Sequence, residues 1–293
     1  MWDVENIQAC GSCRTAGGEL EISDELFSRF TGLIYSVAGI RLGPGKKILV
    51  TSRLMRRVKA LELEGLTEYF HRVKEDEQEL VEMLNCISTN TTNFFRENHH
   101  FEFLKGRVIP ELLQSRKDER GIRIWSAGCS TGEEPYSIAL TVCETLQGLR
   151  PHGFWDTKIL ATDISTKVLN AAAAGIYLLE QFPETVGEAL LKKYFLKGNN
   201  GSSDSIRVKD NVKNLIRFRK LNLKEKTYPF KKTFDVIFCR NVMIYFDDDM
   251  KRHVLSMYHK HLADDGYLFL GHSESMVGQE KFRPVHITTY KKN

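Results

Sequence analysis

Residues 122–133 read Ile-Arg-Ile-Trp-Ser-Ala-Gly-Cys-Ser-Thr-Gly-Glu, and this stretch decides the fold. The apolar residues before Ser126 are typical of a buried strand, and a helical pattern follows over 134–146. Between them, the Gly-x-Ser-x-Gly sequence centred on Ser130 matches the nucleophile elbow of serine hydrolases. The same small residues also suit a turn that lets a cofactor approach the N-terminus of a helix.

The position of this turn in the chain helps to decide between a hydrolase elbow and a cofactor-binding turn. A hydrolase elbow follows a strand in the middle of its sheet, whereas everything before Gly121 has a helical pattern, so 122–126 is predicted to be the first strand. His272, after a late strand, is a candidate triad histidine, but no glycine-rich oxyanion loop precedes the turn. The sequence favours a cofactor-binding turn and leaves the hydrolase alternative open.

Asp163 supports the cofactor interpretation. It follows the second predicted strand, 158–162, at the carboxyl edge where doubly wound sheets bind ligands. Its carboxylate is placed to accept both hydroxyls of an adenosine ribose, or to cap a helix over 166–174, and the two roles are compatible. Asp163 lies further along the chain from the turn than the ~20 residues that separate the glycines from the acid in a dinucleotide-binding fingerprint. The G-x-G-x-x-G sequence itself is also absent, and both observations argue against NAD as the cofactor.

Strand and helix patterns alternate after Gly121. The predicted strands are 122–126, 158–162, 234–239, 267–271 and 286–291. The predicted helices are 134–146, 166–174, 183–195 and 248–262. Gly175 and Gly266 stand where two of these helices should have their C-caps. This alternation predicts an α/β fold with a doubly wound, mostly parallel sheet.

The rest of the chain is predicted to add a helical region and a small β subdomain. The predicted divisions are a flexible tail over 1–18, a helical domain over 19–90, a linker helix over 91–120 and the α/β domain over 121–293. Short strand patterns at 194–197, 206–209 and 215–221 interrupt the last division. We expect them to form an antiparallel meander, a β subdomain over about 194–223.

Composition and cysteine content indicate a soluble cytoplasmic protein. Of 293 residues, 42% are hydrophobic and 27% are charged, with a net charge of +4. No apolar run reaches the ~18–20 residues that span a bilayer, and the N-terminus lacks the apolar core of a signal peptide. The scattered cysteines suit a reducing compartment, and Cys10 and Cys13 lack further ligands for zinc. We expect no metal and no direct membrane insertion.

Four blocks of sequence carry a specific resemblance: residues 89–97, 125–137, 234–247 and 269–274. In this order they resemble the bacterial chemoreceptor methyltransferases of the CheR family, over about residues 20–290. The resemblance implies the fold of S-adenosylmethionine (SAM)-dependent methyltransferases, with the helical N-terminal domain and the inserted β subdomain. It also implies SAM as cofactor, S-adenosylhomocysteine as product, and glutamate side chains of chemoreceptors as substrate.

The resemblance implies a role for each matching residue. It assigns catalysis to Arg96, which would hold the substrate carboxylate, and to Tyr245, near the reactive methyl. A glutamate with a pKa of ~4.3 is ionised at neutral pH, so methyl transfer needs no general base. From the residues alone, Arg96 could equally be a surface charge beside Glu97, and Tyr245 a core aromatic. The implied cofactor-binding residues are Asn90, Thr92, Arg96, Glu133, Asp163, Asn222, Leu223, Arg240 and Asn241.

A basic stretch over residues 41–60 is the candidate receptor-binding surface. It is rich in Lys and Arg and contains no acid. Arg53, Arg56 and Arg57 are predicted to share one helical face, opposite the apolar positions. A solvated face and a nucleic-acid surface remain alternatives. The resemblance implies an acidic, glutamate-bearing receptor helix as the partner.

Two other functions fit parts of the sequence. A nucleic-acid methyltransferase would carry an N/D-P-P-Y/F box after the fourth strand, where residues 240–245 contain no proline. A non-catalytic SAM-binding sensor would not need Arg96 or Tyr245. We therefore expect the cytoplasmic domains of chemoreceptors as partners rather than nucleic acid. The β subdomain is the candidate docking site for a receptor tail, and we expect a monomer.

Overall fold

The computed structural model describes residues 22–88, 90–150, 153–184, 186–198, 204–274, 276 and 279–293. The predicted tail over 1–18, with Cys10 and Cys13, lies outside these residues. Within the described part of the chain, no helix is long and apolar enough to cross a membrane.

The N-terminal region is helical, as predicted. Its α-helices are α1 (Asp24–Ala38), α2 (Lys47–Ala60), α3 (Leu66–Glu75) and α4 (Glu77–Ile87). The side chains of Ser23 and Asp76 cap the N-termini of α1 and α4, and Gly39 ends α1 in the left-handed conformation at φ 72°. The apolar faces of the helices meet in one core that includes Phe30, Ile34, Leu54, Tyr69 and Met83.

A helical segment leads from this region to the sheet. It consists of α5 (His99–Phe103), a π-helical turn (Leu104–Val108) and α6 (Ile109–Ser115). The sequence predicts a linker helix over 91–120, but the helix begins only at His99. Phe95 and Glu97 have φ values of 53° and 55°, which a right-handed helix does not contain. Residues 90–98 therefore form an irregular segment, which we call the strap.

The described residues contain ten strands: β1 (Gly121–Ala127), β2 (Asp156–Asp163), β3 (Ile176–Leu178), β4 (Phe195–Lys197), β5 (Ser205–Val208), β6 (Ile216–Lys220), β7 (Phe234–Cys239), β8 (Leu262–Leu270), β9 (Phe282–His286) and β10 (Thr289–Lys292). The main sheet has the order β6-β2-β1-β7-β8-β10-β9. In this order, neighbouring strands from β6 through β2, β1 and β7 to β8 pair in parallel, and β10 is antiparallel to β8 and β9. The predicted doubly wound sheet is confirmed. Its strand order reverses between β1 and β7, where such sheets bind ligands.

The helices of the α/β domain are α7 (Glu133–Leu149), α8 (Thr166–Ala174), α9 (Glu188–Tyr194), α10 (Asp210–Lys213) and α11 (Asp248–His261). Helices α7 and α8 pack on β2 and β6, and α11 packs on β8, whereas α9 contacts β4 of the small sheet and α10 contacts α7. Alternate residues of the central strands enter two cores, because side chains alternate across a sheet. Ile124 and Phe238 enter one core, and Trp125 and Ile237 enter the other. Gly175 ends α8 at φ 65°, as predicted.

The predicted meander over 194–223 is wrong in one strand. The small antiparallel sheet has the order β3-β5-β4, so its third strand is β3 rather than residues 215–221. β6 instead pairs in parallel with β2 in the main sheet, from the Ile159–Ile216 pair onward. The short helix α10 turns the chain back toward the main sheet, where Ile216 is buried.

Two predictions near the C-terminus also need correction. Gly266 is not a helix C-cap but lies inside β8, since α11 already ends at His261. A Cβ on Gly266 would lie 2.8 Å from the Leu262 side chain, which explains the glycine. The single strand predicted over 286–291 is a hairpin of β9 and β10.

Candidate active site

The turn between β1 and α7 is held against the end of β2. The amides of Gly128 and Cys129 both donate to the Thr162 carbonyl, at 2.8 and 2.9 Å. Gly128 has φ 78°, and a Cβ there would lie 2.3 Å from a methyl group of Val242. Glycine therefore lets this turn and the loop after β7 approach each other at the switch point of the sheet.

Ser130 does not have the surroundings of a nucleophile. Its hydroxyl donates to the backbone carbonyl of Asn90 in the strap at 2.9 Å, and its amide donates to Asp163 at 2.9 Å. A serine nucleophile donates to a general base that can take its proton, and a backbone carbonyl cannot. The elbow-like sequence is a turn that joins the strap to the α/β domain.

Asp163 ends β2 beside this turn. Its Oδ1 accepts from the Ser165 amide and its Oδ2 from the Ser130 amide, both at 2.9 Å. Burial raises the pKa of this carboxyl, and the amides oppose the shift by stabilising the ionised form. The cap of α8 is Ser165, whose hydroxyl accepts from the Val168 amide, so Asp163 is not the helix cap. Each carboxylate oxygen keeps acceptor capacity for a further donor.

A cavity of about 540 Å³ opens at this edge, between the α/β domain and helices α1 and α2. Leu49 and Val50 on α2 form an apolar part of its wall. Separate segments of the chain meet here because the carboxyl ends of parallel strands share one edge. The residues from the sequence predictions that line it are Arg53, Asn90, Thr92, Arg96, Asp163, Asn222, Leu223, Arg240, Asn241 and Tyr245.

The strap forms one side of the cavity and is anchored by Phe94. The buried Phe94 ring stacks on Phe182 with the ring centroids 3.9 Å apart, and its edge meets Tyr177. The Arg96 side chain is exposed, and one of its amino groups donates to the Thr91 carbonyl at 3.1 Å. Anchoring by Phe94 thus fixes the backbone, while the Arg96 guanidinium keeps donors for a ligand.

Behind the strap, a buried guanidinium links three parts of the site. Arg240 lies 3.3 Å from a carboxylate oxygen of Glu97 and 3.4 Å from one of Glu134, and it donates to the Arg96 carbonyl. Burial raises the pKa of Glu134, and the charge of Arg240 opposes this. Asn241, at φ 60°, directs its side-chain amide to Glu97. Two ion pairs therefore hold Arg240 in place, and a hydrogen bond to Glu97 orients Asn241.

Two residues of the cavity wall are tied to the helical region. The side-chain amide of Asn222 donates to the Val37 carbonyl at 2.7 Å, near the end of α1. Tyr245 is the second, and its carbonyl accepts from the Arg41 amide at 2.8 Å. The Tyr245 hydroxyl makes no hydrogen bond to any residue that the structure describes, so it can meet a ligand.

Comparison with known proteins decides the family. Residues 90–291 match the family model described as CheR methyltransferase, SAM binding domain, and residues 25–88 match CheR methyltransferase, all-alpha domain. The chain belongs to the CheR methyltransferase family.

The chain is similar in sequence to several named proteins over most of their length. The chain is 40% identical over 278 residues to a chemotaxis protein methyltransferase of Borreliella burgdorferi, which covers 94% of this chain and 96% of that protein. It is 44% identical over 263 residues to a probable chemotaxis protein methyltransferase of Rhizobium etli, with 88% and 96% covered. It is 40% identical over 264 residues to the Escherichia coli chemotaxis protein methyltransferase, with 89% and 88% covered.

Membership of the CheR family confirms the resemblance in the four sequence blocks. The protein is a SAM-dependent methyltransferase of the chemotaxis type, and its cavity lies between the SAM-binding domain and the all-alpha domain. The all-alpha domain contributes α2 to the wall. Among the described residues, no group of three or more His, Cys, Asp or Glu side chains could hold a metal ion.

Glu133 is predicted to bind the cofactor, but it does not line the cavity. Its buried carboxylate accepts from the Thr131 hydroxyl at 2.7 Å and from Gln181 at 3.4 Å. Burial raises its pKa. The next residue, Glu134, lines the cavity and accepts from the Ser126 hydroxyl at 2.7 Å. Sequence alone could not distinguish the two adjacent acids.

The three arginines of α2 that are predicted to bind the receptor have different surroundings. Arg57 donates twice to the buried carboxylate of Glu79, at 2.9 and 2.6 Å, and Tyr69 donates to the same group at 2.8 Å. A buried acid on α4 therefore engages the Arg57 guanidinium, and a contact of Arg57 with a receptor stays a prediction. Arg53 lines the cavity and donates to the backbone at the end of α4, whereas Arg56 is exposed.

Three acids around the loop after β7 were missing from the predicted site. Glu97 and Glu134 pair with Arg240, and Glu274 accepts from amides of the loop itself. Each stands in one of the four sequence blocks, which is the signal that could have found them. Their partners are backbone groups or distant side chains, which no local spacing reveals.

Proposed function

We propose that this protein transfers the methyl group of SAM to glutamate side chains of chemoreceptors, forming methyl esters. The observation that carries the proposal is the exposed guanidinium of Arg96 on the cavity wall. A guanidinium is suited to a carboxylate because it is always charged and carries several donors in one fixed plane. Membership of the CheR family supports the receptor as substrate.

The residues of the cavity fit the adenosine part of SAM. Asp163 offers acceptors for the ribose hydroxyls, and Leu223 offers an apolar face for adenine beside Asn222. The missing side chain of Gly128 leaves the turn close to the loop after β7. Asn90, Thr92, Arg240 and Asn241 on the cavity wall would surround the methionine part. Glu133, which lies off this wall, is kept as the proposed partner of its ammonium group. Bound SAM supplies a methyl group on a positively charged sulfur.

Positioning is the main task of the protein in this reaction. Arg96 would hold one oxygen of the substrate carboxylate and leave the other free to form the new oxygen–methyl bond as the sulfur–methyl bond breaks. The ionised carboxylate needs no base. Alignment of this kind can supply on the order of 7–11 kcal/mol of a barrier. Tyr245, on the cavity wall, would help to exclude water from the reacting atoms.

We also propose how the receptor is engaged. An acidic receptor helix would lie along α2, where Arg53 and Arg56 supply positive charge. A receptor tail would add to β4, an edge strand of the small sheet on which Leu196 is exposed. The protein would act as a cytoplasmic monomer, and the free thiols of its described cysteines are consistent with a reducing compartment.

A labelling experiment tests the proposal. SAM carrying a labelled methyl group is incubated with the protein and receptor cytoplasmic fragments, with or without their tails, or with DNA or RNA. We expect base-labile label on the receptor, at glutamates identified by mass spectrometry, and no label in the absence of receptor. Label on nucleic acid, or on receptor residues other than glutamate, would contradict the proposal. Equal labelling without the tail would contradict docking on β4.

A further inference from the structure

Glu274 bridges two loops at the carboxyl edge of the sheet. It ends the fourth sequence block, and the proposed function gives it no role. Its side chain is buried, with 7% of its surface exposed. One carboxylate oxygen accepts from the amides of Val242 and Met243 at 2.8 and 2.6 Å, and the other accepts from the Gly271 amide. The Glu274 amide also donates to the Gly271 carbonyl at 3.0 Å.

The bridged amides belong to a turn that carries cavity residues. They lie at the start of the 3₁₀ turn Met243–Tyr245, where the first amides of a helix have no partner within it. A carboxylate at this position also interacts favourably with the positive end of the turn. Glu274 therefore acts as an N-cap supplied from a distant part of the chain. Asn241 and Tyr245, on either side of the capped amides, both line the cavity.

Close packing makes this turn sensitive to Glu274. A Cβ on Gly271 would lie 2.7 Å from the amide nitrogen of Asn241 and 2.8 Å from the Glu274 carboxylate. Val242 in turn lies against Gly128. Because the turn has little free space at these contacts, an unfavourable contact at position 274 can be relieved only by moving the turn together with the residues packed on it. Glu274 itself is not among the described residues that line the cavity.

We propose that Glu274 is a positioning residue for methyl transfer, which holds the turn that presents Asn241 and Tyr245 to the reacting groups. The inference rests on the proposed function. Its physical basis is that a misplacement of about 1 Å can cost about 100-fold in rate. A glutamine cannot replace Glu274, because its NH₂ group would face a backbone N–H donor on one side of the bridge.

The test compares the full chain with Glu274→Gln, Glu274→Asp and the matched control Glu280→Gln. Glu280 is exposed, and its side chain makes no hydrogen bond to the described residues. We expect Glu274→Gln to lower kcat by about tenfold or more at saturating SAM, with the KM for a receptor fragment within about threefold. The affinity for S-adenosylhomocysteine should fall by about fivefold, because Asn241 moves with the turn. The Glu280 variant should match the wild type.

Calorimetry with S-adenosylhomocysteine needs no receptor, so it separates the two proposals. If the wild type methylates no receptor, the proposed function fails and the calorimetric affinity alone decides the role of Glu274. If Glu274→Gln does not fold by circular dichroism, the Asp variant is measured in its place. The inference is overturned if a folded Glu274 variant keeps kcat and affinity within about twofold of wild type, or if Glu280→Gln loses as much.

Discussion

The hydroxyl of Ser130 donates a hydrogen bond to the backbone carbonyl of Asn90 at 2.9 Å, and so joins the turn after β1 to the strap. We expect Ser130→Ala to lose about 0.5–1.5 kcal/mol of stability and to keep most of its methyl-transfer activity. Chemical unfolding measures the stability, and label transfer to a receptor fragment measures the activity. Complete loss of turnover in a folded variant that still binds SAM would revive the nucleophile hypothesis.

Glu133→Ala should act on cofactor binding rather than on the chemical step. We expect the apparent KM for SAM to rise about tenfold with kcat within about threefold, because Glu133 is proposed to meet the methionine part of the cofactor. Steady-state kinetics with SAM varied at saturating receptor checks this. A large loss of kcat with an unchanged KM for SAM would instead show that the contacts of Glu133 with Thr131 and Gln181 are its main role.

Arg96→Ala should nearly abolish methyl transfer while part of the SAM affinity remains. Its guanidinium is exposed and donates to its own strap at Thr91, so we expect little change in the free energy of unfolding. Arg96→Lys should recover only part of the activity, because an ammonium lacks the planar fork of donors. Single-turnover label transfer and calorimetry separate the two effects. Near-wild-type turnover in Arg96→Ala would remove Arg96 from the mechanism.

Arg56 and Arg57 are adjacent, but their substitution by alanine should affect different properties of the protein. Arg57→Ala leaves the buried carboxylate of Glu79 without its cation and should cost about 3–5 kcal/mol of stability. Arg56→Ala should change stability by no more than about 0.5 kcal/mol and raise the KM for the receptor. Urea unfolding and receptor titrations measure the two quantities. Equal losses of stability in both variants would contradict this division of roles.

Glu111 on α6 should make the fold sensitive to acid. Burial raises the pKa of this carboxyl, but hydrogen bonds from Tyr267, Arg107 and Lys291 outweigh it and lower the pKa to about 2. Between its ordinary pKa of 4.5 and about 2, the unfolded chain binds a proton that the folded chain does not. The stabilisation is therefore complete above this range and is lost as the pH falls through it.

The variant Glu111→Gln tests this linkage. Because the side chain is about one-third exposed, we expect a loss on the order of 1 kcal/mol at neutral pH, and a smaller difference from wild type near pH 3. Denaturant unfolding at the two pH values provides the comparison. A difference that is the same at both pH values would show that ionisation of Glu111 contributes nothing.

Much of the site was predictable because its residues lie in local patterns. A buried strand, a turn of small residues and a helix follow one another at 122–146, and Asp163 ends the next strand. Carboxyl ends of parallel strands share one edge, so strand order alone brings such residues together. The assignment of 215–221 to the small sheet failed, since a short apolar run fits either sheet until its partner strand is known.

The amino-acid sequence by itself determined the alternation of strands and helices, the helical N-terminal region, and the blocks that carry the family resemblance. These depend on local periodicity and on residue type. Only the tertiary structure decided that Arg57 pairs with Glu79, that Glu134 rather than Glu133 lines the cavity, and that Glu274 caps a turn more than 30 residues away. Such pairings depend on which buried groups meet after the chain has folded, because a buried charge takes whatever partner the packing brings to it.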